Sequence, residues 1–275
     1  MGSVRSVSPL ADTLHPHCPN TAGFPIGKTG KENYCANMTQ TYNSHHKDGS
    51  KSYGGYANYA RVPSHFVFKI PDGLPSEAAA PLLCAGATVY SPLKHFGAGP
   101  GKTVGIIGIG GLGHLGILFA KALGADRIVA ISRTGSKKAD AAKLGATDFI
   151  ATGEDEKWSD KWSKTIDLIV CTVSSASMPL AEFLDLLKVD GTMVQVGAPE
   201  EPLPSLRPFA FLIKRIKLAG SMIASPSEIQ EMLQLAAEKD VHTWVKTFPM
   251  DQVNDALQMF HKGEPRYRFV LVNQD

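Results

Sequence analysis

Short apolar runs alternate with longer amphipathic stretches from Gly101 towards the end of the chain. The apolar runs predict buried strands at Thr103–Ile107, Arg127–Ile131, Asp148–Ile150, Ile166–Val170, Thr192–Val196 and Ile216–Ala219. The amphipathic stretches predict helices at Gly111–Leu123, Lys137–Leu144, Pro179–Leu187, Pro226–Lys239 and Asp251–His261. Strands that are apolar along their whole length, separated by helices, are typical of a parallel sheet covered on both faces. We therefore predict an α/β fold with a doubly wound parallel sheet.

The first hundred residues have a different pattern. Residues 1–55 are rich in Gly, Ser, Thr, Asn, Lys and His and hold neither period for long, so we predict a loop there. The next stretches predict two strands and then two helices, at Tyr56–Val62, Phe66–Ile70, Ser76–Ala85 and Ala87–Lys94. The glycine-rich linker Gly97–Gly101 marks the clearest boundary in the chain.

Composition narrows the possible partners. The chain has 275 residues, 43% of them hydrophobic, and its 28 basic and 26 acidic side chains leave a net charge of +2. A charge this small, without long runs of one sign, argues against nucleic acid and against a membrane surface as partners. No apolar run approaches the roughly 18–20 residues of a membrane span, and four scattered cysteines do not make a disulfide framework. The expected location is the cytoplasm.

A glycine-rich turn follows the first predicted strand of the parallel sheet and opens the helix after it. The turn contains Gly108, Gly110, Gly111, Leu112 and Gly113. In this context a G-x-G-x-x-G pattern predicts a Rossmann-type dinucleotide site. The first glycine permits the tight turn, the second lets the backbone approach a pyrophosphate, and the last lets helix and strand pack closely. The alternative is a glycine-rich turn without a ligand.

The end of the second strand selects between the two nicotinamide cofactors. NAD-binding domains usually place an acid there, where it holds the ribose 2′-hydroxyl. This strand ends instead in Ser132 and Arg133, and Lys137 follows closely. A hydroxyl and two cations suit a 2′-phosphate, so we predict NADP(H); alternatively these are ordinary surface charges.

Several segments together resemble the zinc-dependent medium-chain dehydrogenase/reductase superfamily, in its cinnamyl alcohol dehydrogenase-like, NADP-dependent branch. The segments are Gly54–Tyr59, Ala80–Pro92, Val104–His114, Gly197–Pro199 and Arg266–Phe269. The resemblance extends over residues 28–272. It implies a Rossmann domain joined to the remainder of a β-rich, GroES-like catalytic domain. The implied boundaries are 1–97 for the partial catalytic domain, 98–240 for the cofactor domain and 241–275 for the return to the catalytic domain.

The resemblance also assigns roles to single residues. It implies that Cys84 is a ligand of the catalytic zinc and that Thr88 lines the nicotinamide pocket, whereas the residues alone predict that Cys84 is a packed core cysteine. Arg268 is implied as a further cofactor-binding residue. Residues after strand ends would edge the cofactor cleft, and these are Thr172, Val173, Val196, Gly197, Ser221 and Met222.

The chain departs from the family in its zinc sites. The family's first catalytic-zinc cysteine and its Gly-His-Glu segment do not occur in this sequence. The segment Lys28–Cys35 resembles the last stretch of the structural-zinc lobe, so Cys35 is implied as a remnant of that site. These departures indicate an N-terminal truncation and little bound zinc.

The expected function is NADP(H)-dependent interconversion of a primary alcohol and its aldehyde. Two alternatives stay open, a catalytically impaired NADPH-binding protein and a zinc-free quinone or enoyl reductase. The resemblance implies a homodimer built through the strand Ile216–Ala219. It does not select among aliphatic, aromatic and pathway-specific aldehydes.

Overall fold

The centre of the molecule is a parallel sheet of six strands. The computed structural model describes residues 30–273 except 37, 47 and 199–201. In the described part, the strands are β3 (Thr103–Ile107), β4 (Arg127–Ser132), β5 (Asp148–Ala151), β6 (Ile166–Cys171), β7 (Leu187–Gln195) and β8 (Lys217–Gly220). Their order across the sheet is β5-β4-β3-β6-β7-β8, and every neighbouring pair is parallel. The predicted doubly wound fold is confirmed.

Both faces of this sheet are buried, as the apolar strands predict. All five residues of β3 are buried, and alternate side chains enter different cores. Ile106 packs with residues of the helices before and after β3, whereas Ile107 packs with Trp158 and Phe183 on the other face. Two helical layers therefore hold the sheet and fix its strand ends.

The predicted helices of the sheet region are present with small shifts of their ends. The helices in the described residues are α1 (Ser76–Ala79), α2 (Ala85–His95), α3 (Gly113–Ala122), α4 (Lys138–Leu144), α5 (Trp158–Lys161), α6 (Leu180–Asp185), α7 (Phe209–Leu212), α8 (Pro226–Glu238) and α9 (Val253–His261). The sequence pattern missed α5 and α7, because four residues are too few to show a helical period. The longest described helix, α8, has 13 residues, and no described helix is both long and apolar enough to cross a membrane.

The described residues before α1 differ from the prediction. A small antiparallel hairpin of β1 (Tyr42–His45) and β2 (Lys51–Tyr53) lies within the predicted loop. The strands predicted at Tyr56–Val62 and Phe66–Ile70 are wrong, because the described segment 56–70 contains only a 3-10 turn at Ser64–Phe66. Residues 56–67 are exposed, and no described strand pairs with them, so their backbone has no ladder to join. Residues 1–29 of the predicted loop lie outside the described residues.

A second, two-stranded parallel sheet completes the described fold. It consists of β9 (Val245–Pro249) and β10 (Arg268–Val272), joined through α9. The backbone N–H groups of Tyr267 and Arg268 both donate to the carbonyl of Trp244, at 3.0 and 3.1 Å. This pairing brings the start of β10 against the glycine turn after β3.

Candidate functional site

The glycine turn lies where the strand order of the large sheet reverses, between β3 and β6. In open α/β sheets the ligand crevice forms at this switch point, beyond the carboxyl ends of the strands. Gly108 has a φ of 87°, which favours glycine, and its N–H donates to the carbonyl of Ile131 at 2.8 Å. A Cβ on Gly108 would lie 2.4 Å from Cγ1 of Val173. Gly108 thus makes the tight turn that the sequence predicts.

The other two motif glycines differ in the space around them. A Cβ on Gly113 would lie 1.7 Å from the carbonyl oxygen of Gly108, so only glycine lets α3 begin this close to the strand. A Cβ on Gly110 would have nothing within 4 Å. Leu112 immediately precedes α3. The turn therefore packs tightly beneath Gly113 and is open beside Gly110.

Arg268 lies against the turn. Its Nε donates to the carbonyl of Gly111 at 2.9 Å, and a Cβ on Gly111 would be 2.7 Å from the guanidinium carbon. Burial lowers the pKa of Arg268 from its usual value, and the electrostatic effect of the nearby Cys84 side chain acts in the opposite direction. A half-buried cation at the glycine turn is well placed to bind an anion.

The predicted cofactor-selecting residues lie at the end of β4 and in the segment after it, and one of them contacts the same turn. Ser132 ends β4, Arg133 is exposed, and Nζ of Lys137 donates to the carbonyl of Ile109 at 2.6 Å. The carboxylate of Glu154 also lies in this region, which the sequence did not predict. Its Oε1 accepts a hydrogen bond from the Gly135 N–H at 2.8 Å. Arg133 and Lys137 thus flank the short segment 134–136 in the chain, and the Glu154 carboxylate contacts this segment.

Hydrogen bonds fix the ends of β6 and β7 at the cleft. Oγ1 of Thr172 donates to the carbonyls of Ile107 and Gly108, at 2.9 and 3.0 Å. Nε2 of Gln195 lies 2.8 Å from the carbonyl of Val173 and 2.8 Å from that of Gly197. No sequence pattern pointed to Gln195, because a single polar residue at the end of a strand is common.

A cavity of about 460 Å³ lies beside these strand ends. Predicted residues on its wall are Thr88, Val196, Gly197, Ser221 and Met222, and residues that the sequence analysis missed are Tyr34, Gln195, Ala198, Gly220 and Ile223. Tyr34 comes from the segment that resembles the structural-zinc lobe. The only sequence signal for it was that resemblance, which pointed to zinc and not to a cavity.

Cys84 lies between a 3-10 turn and α2, close to this cavity through its neighbour Thr88. Oγ1 of Thr88 donates to the Cys84 carbonyl at 2.8 Å. The thiol of Cys84 is exposed, so the prediction of a packed core cysteine is wrong. Cys84, which immediately precedes α2, is therefore accessible at the surface, where it can contact a ligand.

The described residues do not form a metal centre around Cys84. Nowhere in the described ranges do three or more His, Cys, Asp or Glu side chains gather closely enough to hold a metal ion. Tight zinc binding needs three or four protein ligands. Cys35 is in a disulfide bond, which leaves its sulfur without the thiolate that zinc binds.

Comparison with known proteins gives the family of this chain. Residues 111–238 match the model of a zinc-binding dehydrogenase family. The chain is 44% identical over 257 residues to NADP-dependent alcohol dehydrogenase 6 of Saccharomyces cerevisiae, a match that covers 90% of this chain and 69% of the yeast protein.

Solved structures agree in fold. A cinnamyl alcohol dehydrogenase from Sorghum bicolor superimposes with a TM-score of 0.84 at 39% identity, over 90% of this chain and 70% of that one. The cinnamyl alcohol dehydrogenase from Helicobacter pylori, complexed with NADP(H), gives a TM-score of 0.80 at 30% identity, over 90% of this chain and 71% of that one. The chain belongs to the zinc-binding, medium-chain dehydrogenase/reductase family, in the branch of the NADP-dependent and cinnamyl alcohol dehydrogenases.

Proposed function

We propose that this chain binds NADP(H) and acts in the interconversion of a primary alcohol and its aldehyde. The observation that carries the proposal is the glycine turn at the switch point of the sheet, with Arg133 and Lys137 at the end of the neighbouring strand in place of an acid. The yeast relative is by name an NADP-dependent alcohol dehydrogenase, and the Helicobacter pylori structure contains NADP(H). Both support this cofactor and this reaction.

The bound nicotinamide would supply the hydride: reduction moves it to the carbonyl carbon while the oxygen takes a proton. The residues of the chain would hold the two partners in place. Gly110 leaves room for the pyrophosphate, and Arg268 supplies a cation beside it. Thr88 and Ser221 line the cavity that would receive the nicotinamide end.

The described residues do not fit the catalytic zinc that the family resemblance implies. Cys84 is one ligand where three are required, and the described residues supply no others close to it. We propose that this part of the chain binds the dinucleotide without zinc. Metal analysis of the purified protein tests this point, and about one zinc per chain that is lost in Cys84→Ala would overturn it.

The proposed assembly is a homodimer through β8. This strand is at one edge of the large sheet, and its outer side has no partner among the described strands. In the segment that precedes β8 in the chain, three apolar side chains of the α7 region are 69% to 72% exposed, namely Phe209, Leu212 and Ile213. A second copy pairing at this edge would extend the sheet and cover apolar surface.

The proposed division of the chain is 1–97, 98–240 and 241–275. The linker Gly97–Gly101 directly precedes the large sheet, and the small β9–β10 sheet supports a separate last unit. The last unit would return to the catalytic domain while also contacting the cofactor turn.

Titration of the purified chain with NADPH and NADH, followed by nicotinamide fluorescence, tests the cofactor assignment. We expect saturable binding with tighter affinity for NADPH. Equal affinity for the two cofactors would contradict the assignment to NADP(H), and no binding of either would contradict the whole proposal. Aldehyde reduction with NADPH, measured over aliphatic and aromatic aldehydes, then tests the reaction.

A further inference from the structure

The side chain of Tyr267 contacts two parts of the proposed cofactor site, the start of α3 at the glycine turn and the segment that follows β4. It is 3% exposed and immediately precedes β10. Its ring stacks on the His114 ring with centroids 4.9 Å apart and planes 15° apart. His114 is fully buried in the first turn of α3, and its Nδ1 is 3.0 Å from the carbonyl of Gly110. One contact of Tyr267 therefore reaches the glycine turn.

The other contacts of Tyr267 are with the segment after β4, where the residues proposed to select the cofactor lie. Its hydroxyl donates to Oδ2 of Asp140 at 2.9 Å, and Asp140 is in the first turn of α4. Nζ of Lys137 lies 5.7 Å from the centroid of the Tyr267 ring, within the range of a cation–π contact. The ring thus contacts a helix and an ammonium group from the same short segment.

Charges around Lys137 make this placement specific. Arg266 donates to the same oxygen of Asp140 at 3.0 Å, so the carboxylate is shared between two donors from the residues immediately before β10. Burial lowers the pKa of Lys137, Arg266 lowers it further, and Asp140 acts in the opposite direction. Burial and the bond to Asp140 raise the pKa of Tyr267 to about 12, so its hydroxyl stays protonated and donates.

Lys137 has a long side chain with many rotamers, and a free lysine at this position would lose entropy on binding a phosphate. Here its ammonium group is fixed by the Ile109 carbonyl at 2.6 Å and by the face of the Tyr267 ring. Fixing the cation before the ligand arrives reduces that loss, which strengthens binding only for a ligand that contacts the cation.

We propose that Tyr267 is a positioning residue for cofactor selectivity, which holds Lys137 at the rim of the glycine turn and so favours a dinucleotide with a 2′-phosphate. The inference rests on the proposed binding of NADP(H) through Lys137. Tyr267 does not touch the phosphate itself. Its effect passes through the ring face under the ammonium group and through the bond to Asp140.

The test is a double-mutant cycle on cofactor binding by the full chain. Dissociation constants for NADPH and NADH are measured by fluorescence titration for wild type, Tyr267→Leu, Lys137→Ala and the double variant. We expect Tyr267→Leu to weaken NADPH by about 3-fold to 10-fold, the size of one partly buried cation–π contact, and to leave NADH nearly unchanged. In the Lys137→Ala background the same change should have no further effect on the NADPH to NADH ratio. Tyr267→Phe keeps the ring and should keep most of the selectivity.

Failure of the proposed NADP(H) site and failure of the proposed role of Tyr267 give different results. If wild type does not prefer NADPH, or Lys137→Ala leaves the preference intact, the proposed cofactor site is wrong. If Lys137→Ala removes the preference while Tyr267→Leu weakens both cofactors alike, Tyr267 has only a structural role and the inference is wrong. Tyr59→Leu is the matched control, because Tyr59 is 94% exposed.

A measurement on the wild-type protein covers the case in which Tyr267→Leu does not fold. The chain is labelled with 3-fluorotyrosine, and the Tyr267 signal is assigned as the one missing from Tyr267→Phe. We expect NADPH to shift this signal more than NADH does, because the 2′-phosphate would attract the Lys137 ammonium group and so change the electric field at the Tyr267 ring. Equal shifts with the two cofactors would overturn the inference.

Discussion

Nδ2 of Asn33 donates a hydrogen bond of 2.8 Å to the main-chain carbonyl of Met222, 189 residues further along the chain. The bond joins the segment around Cys35 to the cavity wall. Ile223, which follows Met222, has a φ of 52°, a left-handed conformation that a β-branched residue rarely adopts. Asn33 therefore holds one side of a strained segment of the site.

Asn33→Ala should lower the free energy of unfolding by about 0.5–1.5 kcal/mol, because it removes one long-range hydrogen bond. We also expect faster hydrogen exchange of the backbone amides in the segment 221–223. Denaturant unfolding and hydrogen exchange measure the two effects. Asn254→Ala, at an exposed position on α9, is the control. An unchanged exchange rate in Asn33→Ala would mean that the bond does not restrain the cavity wall.

Alanine at the last and at the second motif glycine should affect different properties, stability in one case and cofactor binding in the other. Gly113→Ala places a Cβ 1.7 Å from the Gly108 carbonyl oxygen, so we expect a large loss of stability or failure to fold. Gly110→Ala meets nothing within 4 Å and should fold normally, yet bind NADPH more weakly because its methyl group occupies space beside the turn. Thermal unfolding and cofactor titration separate the effects. Unweakened binding by Gly110→Ala would place the pyrophosphate elsewhere.

Arg133→Ala should weaken NADPH binding by about 1 to 3 kcal/mol, the size of one charge-assisted contact, and leave NADH binding unchanged. Fluorescence titration with both cofactors measures this. Lys143→Ala removes another exposed cation from the neighbouring helix and should have little effect. If the two variants behave alike, the contribution of Arg133 is only its general positive charge.

His114 should make the protein less stable in mild acid. Burial lowers its pKa from 6.5 to about 4, so between these values the unfolded chain binds a proton that the folded chain does not. Stability from this group is therefore lost as the pH falls from about 6.5 towards 4, by up to about 3 kcal/mol. Urea unfolding of wild type and His114→Gln across this range should show a flatter pH dependence for the variant. His261→Gln, exposed at the end of α9, should follow wild type. Parallel curves for wild type and His114→Gln would contradict the prediction.

Leu212→Lys should convert the proposed dimer to a monomer, because Leu212 is 69% exposed in α7, the element that precedes the edge strand β8 in the chain. Burying a lysine in an apolar contact is unfavourable unless it is paired. Sedimentation velocity at micromolar concentration measures the effect. Leu257→Lys, on α9 at a position 38% exposed, should leave the assembly unchanged. A wild-type monomer at that concentration would refute the dimer.

The sequence predicted the large sheet well because its pattern is local. The strand Thr103–Ile107 has the same bounds in the structure, since it is apolar throughout and ends at a glycine turn. The strands predicted near Tyr56 and Phe66 failed because aromatic and β-branched residues favour a strand only when another strand pairs with it.

The candidate site divides in the same way. The motif glycines could be predicted, because a tight turn requires glycine at fixed spacings. Tyr34, Gln195 and Tyr267 could not, since each acquires its role from contacts with distant segments. Even the segment Arg266–Phe269, which carried part of the resemblance, gave no indication of which groups its side chains would contact.

The hydrogen bond from Arg268 to the Gly111 carbonyl can form only late in synthesis of the chain. The two residues are 157 positions apart, so the turn leaves the ribosome long before the arginine exists. At roughly 5–20 residues per second, the delay is about 8 to 30 seconds. Throughout that time the proposed anion site of the nascent sheet is incomplete, and it can reach its full affinity for a dinucleotide only once Arg268 has been made.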